Sequence, residues 1–203
     1  MSDNFVKTAA IAPCIVMPIS FGYHSPAHRK VPHVPAAKTA KVAADLDTPS
    51  DLPQDATDKI SKALNGLLAD AFALYLKTKN FHWHMSGRHF RDYHLLLDEQ
   101  ADQIFATTDE LAERVRKVGG RTLRSISEIA KVQTIKDNNE DFVPAREMLR
   151  ELMNDNKHIT AALRQAHEAV DELKDSATAG LLENWIDETE RRHWFLFETT
   201  RRA

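Results

Sequence analysis

Cysteine is almost absent from this chain of 203 residues: Cys14 stands alone. A single thiol builds neither an intramolecular disulfide framework nor a thiolate zinc cage. Glycine is scarce, at 6, and aromatic residues make up only 7%. Both argue against an all-β sandwich with its many tight turns. No run approaches the ~18 consecutive apolar residues of a membrane span. An excess of one charge sign is missing as well. The 27 basic and 30 acidic residues leave a net −3, so the whole chain is not a polycation made to coat nucleic acid. Histidine, by contrast, is plentiful, at 10. Any metal held here is held by imidazole and carboxylate.

The modest net charge conceals a split. Residues 1–44 carry Lys7, Arg29, Lys30, Lys38 and Lys41 against Asp3 alone, a net +4 that leaves −7 for the remainder. The same stretch holds Pro13, Pro18, Pro26, Pro32 and Pro35. No helix or central strand survives that density, so residues 1–55 read as a flexible basic arm. Its apolar run Ile11–Ile19 is interrupted twice by proline and preceded only by Lys7, which makes a poor secretion signal. The expected location is therefore the cytoplasm.

From residue 56 the texture becomes helical. Ile60, Leu64, Leu67, Ala71, Leu74 and Thr78 recur at steps of four and three, one face of a helix that Asp55 or Thr57 is placed to cap. A second helix runs from about Arg88 to Val118 on a stripe of Phe90, Tyr93, Leu97, Ala101, Ile104, Thr108, Leu111, Val115 and Val118. Gly119-Gly120 ends it. A short helix is expected over 123–129. Pro144 opens a third long helix with Leu149, Leu152, Asn156, Ile159, Leu163, Ala166 and Val170 inward. A fourth, over 176–200, uses Leu182, Trp185, Thr189 and Leu196. The domain over 56–203 is thus predicted to be an all-α four-helix bundle. The link from about Arg121 to Phe142 is long enough to cross it, as in ferritin-like folds.

The second helix carries another pattern. His94 and Asp98 are four apart, as are Asp109 and Glu113, and all four fall within roughly 100° beside the core stripe. Charged i,i+4 pairs are ordinarily solvated helix surface. The two pairs cannot share a cation within one chain, because Asp98 and Asp109 lie roughly 16 Å apart along the axis. An antiparallel copy about a two-fold axis near residues 103–104 changes this: Asp98 then meets the partner's Asp109, and His94 meets the partner's Glu113. His82, at the end of the first helix, adds a fifth candidate. Two imidazoles and three carboxylates suit Fe(II), Mn(II) or Zn(II).

These residues also carry a resemblance. His82-Trp83-His84-Met85-Ser86-Gly87, then His94 with Asp98, then Asp109-Glu110-Leu111-Ala112-Glu113-Arg114 before Gly119-Gly120, is similar to the Dps family of mini-ferritins, over about residues 56–200. The resemblance implies a homododecamer of four-helix subunits around an iron cavity, assembled through two-fold and three-fold interfaces. It implies ferroxidase centres of two irons, with Zn or Mn as possible substitutes. His82, His94 and Asp98 would come from one subunit and Asp109 and Glu113 from its mate, with Trp83 beside the centre. It further implies Fe(II) oxidation, preferably by hydrogen peroxide, storage of ferric mineral, and protection of DNA in the bacterial cytoplasm or nucleoid. Tyr93, Thr108 and Thr122 depart from the family pattern, none at a ligand.

Other features rank lower. His84 and His89 read as surface residues. Glu190 and His193 have the i,i+3 spacing of ferritin-type ligands, but the other helices offer no matching set, so His193 reads as a packing residue. Asp171, Glu172 and Asp175 lie where related proteins form acidic three-fold pores, yet read more simply as a solvated turn. His24, His28 and His33 sit in the arm, where zinc binding is conceivable. Twelve arms would bind DNA through phosphates only, without sequence preference and in a salt-dependent way. The alternative reading is accordingly a nucleoid-binding protein with an incidental metal site.

Overall fold

A computed structural model describes residues 46–201. Within them lie five helices: α1 (Gln54–His84), α2 (Phe90–Lys117), α3 (Ile126–Val132), α4 (Ala145–Glu172) and α5 (Ser176–Thr200). No strand occurs among the described residues. The expectations for Cys14, the arm histidines and the arm prolines fall outside them.

Short connections make α1–α2 and α4–α5 antiparallel hairpins, and these are the most extensive packings in the bundle. Contacts across the bundle fix the remaining directions. Lys77 of α1 meets Glu151 and Asp155 of α4, at 3.0 and 2.8 Å. Gln100, Glu110 and Arg114 of α2 meet Arg192, Trp185 and Thr178 of α5 in that order. Since α2 is antiparallel to both α1 and α5, it runs parallel to α4. The α2–α4 link must therefore travel the bundle's whole length, which is the ferritin-like connection expected from the sequence. Buried Asp70 anchors this link by accepting hydrogen bonds from the Thr134 amide and hydroxyl and from the Ile135 amide.

The inward stripes match the core. All of Ile60, Leu64, Leu67, Ala71, Leu74 and Thr78 are buried, as is every α4 stripe residue from Leu149 to Val170. Each fully buried leucine contributes about 1.5–3 kcal/mol. At the start of α2 the stripe fails: Phe90 is exposed and Tyr93 only partly covered. Phe90 lies against the His94 ring, and Tyr93 is packed on the core but only half-covered, beside His89.

Helix ends follow local chemistry. Val118, Gly119 and Gly120 close α2 in a Schellman motif, with the Gly119 amide on the Arg116 carbonyl and the Gly120 amide on the Val115 carbonyl. Gly119 has φ 91°. Gly120 is required for proximity instead, since a Cβ there would lie 1.8 Å from Ser61 Oγ. The α1 cap differs from expectation. Pro53 precedes the helix without a side-chain cap, and Thr57 instead donates to the Val118 carbonyl at 2.9 Å, tying α1 to the end of α2. The short helix is shifted to Ile126–Val132 because Ser125 caps it, accepting from the Glu128 amide. Residues 46–50, assigned to the arm by composition, are fastened to the body: Arg121 pairs with Asp47 at 2.6 Å, and Arg116 donates to the Leu46 carbonyl and to Thr48.

Asp175 requires a correction. Rather than belonging to a solvated acidic turn, it is buried, caps α5 through the Thr178 amide and pairs with Arg114 at 2.6 Å. Burial pushes its carboxyl upward, but the Arg114 and Thr178 hydrogen bonds outweigh that and hold it below its ordinary 3.8. Asp171 and Glu172 remain exposed.

Candidate metal centre

His82 occupies the last turn of α1 and His94 the first turns of α2. The hairpin stacks their rings, with centroids 3.7 Å apart and an interplanar angle of 21°. Each ring bonds the other's backbone: His82 Nδ1 to the His94 carbonyl at 2.8 Å, and His94 Nδ1 to the His82 carbonyl at 2.9 Å. A carbonyl only accepts, so both Nδ1 atoms must be protonated donors. In the neutral rings each Nε2 then carries the lone pair, which is the tautomer a metal requires. The His82 carbonyl is also one of the four that the end of α1 leaves without helical partners, so His94 acts as a cap.

Asp98 lies one turn beyond His94, and its Oδ1 is 3.7 Å from His82 Nε2. The same oxygen accepts a 2.6 Å hydrogen bond from Lys79 Nζ. This bond holds the Asp98 carboxyl below the ordinary carboxylate range and raises the lysine. Lys79 was not anticipated from the sequence. Its signal was its position three residues before His82, one turn back along the helix.

Asp109 and Glu113 are exposed further along α2, with Glu113 paired to Lys117 at 2.9 Å. One chain thus brings together His82, His94 and Asp98 but neither Asp109 nor Glu113. Among the described residues no three His, Cys, Asp or Glu side chains form a metal-binding group. Helical phase places Leu95 and Phe105 on the α2 face that carries His94, Asp98, Asp109 and Glu113. Both are about half exposed, as are Leu76 and Trp83 on α1.

The secondary histidine readings also have a structural account. His84 bonds the Asn80 carbonyl at 2.8 Å on the exposed surface, and His89 is exposed beside Tyr93. His193 bonds the Met153 carbonyl at 2.9 Å, a packing role. The neighbouring bundle interior holds a cation of its own, Arg192, which disfavours a metal there.

Comparisons with known proteins agree with this architecture. The ferritin-like domain family matches residues 61–203. The chain is 31% identical to "DNA protection during starvation protein 1" of Deinococcus radiodurans, covering 81% of this chain and 79% of that protein. Among solved structures it is similar to Dps from Thermosynechococcus elongatus (TM-score 0.71, 29% identity, 73% of this chain and 94% of that one). It is also similar to Dps from Vibrio cholerae (TM-score 0.71, 28% identity, 74% and 94%), described as a member of a broad superfamily of ferritin-like diiron-carboxylate proteins. The fold is that of a ferritin-like four-helix bundle. The chain belongs to the Dps family.

Proposed function

We propose that this protein is a ferroxidase and iron store whose twelve subunits enclose a mineral cavity. In this reading Fe(II) is substrate. His82, His94 and Asp98 bind it from one subunit, with the partner's Asp109 and the partner's Glu113. The observation that carries the reading is the reciprocal imidazole lock, which leaves both Nε2 lone pairs for a guest and sets that of His82 3.7 Å from Asp98 Oδ1. The exposed Leu95 and Phe105 on the same α2 face supply apolar surface for a two-fold contact.

The chain's residues then divide the work. Carboxylates offset the charge of the bound ions, and the imidazoles add softer donors. Two Fe(II) side by side give two electrons to one hydrogen peroxide. The O–O bond breaks, two protons are taken up from solution, and two Fe(III) and two water molecules result without release of hydroxyl radical; hydrolysis of the ferric ions to oxide then returns protons to solution. Ferric ions pass to the cavity as oxide. Consuming both iron and peroxide protects DNA, consistent with a bacterial cytoplasmic or nucleoid setting.

The test follows Fe(II) oxidation in the near-ultraviolet with peroxide against dioxygen. His82→Gly with His94→Gly, or Asp98→Ala, is expected to abolish the fast peroxide phase while light scattering shows the oligomer intact. Unchanged rates would sink the assignment. Zn(II) or Mn(II) binding without Fe(II) turnover would leave a metal-binding bundle that is not an enzyme.

The +4 of residues 1–44 favours an added, sequence-independent contact with DNA phosphates.

A further inference from the structure

Phe90 is a large apolar residue left 45% exposed at the first position of α2, out of keeping with its place in the inward stripe. The preceding turn sets that place. Gly87 bends the chain at φ 104°, and the Phe90 amide donates to the Gly87 carbonyl at 3.1 Å. Four residues on, His94 stands on the same face of the helix. Side chains in a helix lean back toward its N-terminus, which brings the imidazole over Phe90. The two ring centroids are 4.9 Å apart and the planes are tilted by 31°. Aromatic pairs attract at such separations.

The two candidate imidazoles are not held alike. His82 is 7% exposed, so the packing around it fixes its ring. His94 is only half-buried. The torsion that turns an imidazole about its Cβ–Cγ bond has a broad preference, so neighbouring groups choose the ring plane. Rotating His94 by a few tens of degrees would strain its 2.9 Å bond to the His82 carbonyl and re-aim Nε2. The stacked His82 ring, with its centroid 3.7 Å away, resists that rotation, and Phe90 is a second ring set against the same imidazole.

We infer that Phe90 is a positioning residue for the candidate centre: its ring sets the plane of the His94 imidazole and so aims the Nε2 lone pair. The inference rests on the reading of His94 as a metal ligand. It also accounts for a phenylalanine kept where much of its surface meets solvent, because a flat ring confines another flat ring more closely than a flexible aliphatic chain does.

The experiment compares the full wild-type chain with Phe90→Ala and Phe90→Tyr. Co(II) titration, followed by visible absorption, reads affinity without turnover. Crystal structures of the metal-free proteins read the His94 ring. Phe90→Ala is expected to bind Co(II) roughly two- to tenfold more weakly. Its His94 ring should be turned or split between orientations, with Nδ1 off the His82 carbonyl. Phe90→Tyr keeps the ring and should match wild type in both readouts. A merely structural role would lower Tm and leave the His94 ring in place. An unmoved ring in Phe90→Ala, or an undiminished Co(II) affinity, overturns the inference. So does a Phe90→Tyr as weak as Phe90→Ala, since the ring would then not be what matters. Light scattering checks the oligomer. Should Phe90→Ala fail to fold or assemble, Phe90→Leu carries the same comparison, with apolar bulk but no flat face. Co(II) affinity unaffected by His94→Gly overturns the ligand assignment and this inference with it. A loss in His94→Gly together with an unmoved ring in Phe90→Ala overturns the inference alone.

Discussion

Lys79→Met gives the most direct test of how the candidate centre is held before metal arrives. Lys79 Nζ sits 2.6 Å from Asp98 Oδ1, the oxygen also nearest His82 Nε2. An incoming divalent cation that uses this oxygen competes with the ammonium for it. The Asp98 side chain is 45% exposed and that of Lys79 17%, so solvent screens the pair heavily. Its worth is therefore small, as for exposed ion pairs generally. Removing it should tighten divalent-ion binding about two- to fivefold. The gain should shrink as ionic strength rises. Methionine keeps the length and apolar stem without the charge. Titration with Co(II), followed by its visible absorption, reads the affinity without turnover, and circular dichroism confirms the fold. An equal or weaker affinity in Lys79→Met would refute the reasoning, and would mean that the lysine orients Asp98 for the metal rather than competing with it.

Three further outcomes are expected. Asp175→Ala removes an α5 cap and strands Arg114, costing about 2–4 kcal/mol in chemical denaturation. Because the folded carboxyl lies below 3.8, its contribution is present above that pH and lost as pH falls through the depressed value, so the variant should show a flatter acid profile. Gly120→Ala forces a Cβ into Ser61 and should cost about 1–3 kcal/mol by overpacking, with Ser61→Gly restoring most of it in a double-mutant cycle. Deleting residues 1–45 should abolish a salt-sensitive DNA gel shift and spare Fe(II) oxidation; an unchanged shift at two salt concentrations would rule out the arm.

The helices were legible wherever burial and period agreed. The Ile60–Thr78 and Leu149–Val170 stripes are core because every inward position has a facing helix. Phe90 and Tyr93 share the right period but are left exposed or half-covered beside His94 and His89, and periodicity alone cannot report how completely a position is covered. The candidate ligands were visible as spacing on one face. What spacing could not convey was the tautomer, which depends on the course of the backbone through the turn between His82 and His94. Lys79 was hidden for a related reason: its partner is 19 residues away and reached only by folding the hairpin. Asp175 looked like one more acid in a polar turn until Arg114, 61 positions earlier, closed on it. Arg192 was readable, being in step with the α5 stripe, but a cation in that phase runs against expectation for a core.

The reciprocal bonds of His82 and His94 make the prospective metal ligands into rivets. Each imidazole fastens the opposite strand of the hairpin by one nitrogen and leaves the other for a guest. Clamping the guest would therefore stiffen the hairpin, and loosening the hairpin would misaim both rings at once. Evolution at either position is doubly constrained: a replacement must supply a lone pair outward and a donor inward, and among the common side chains only histidine does both from opposite sides of one rigid ring.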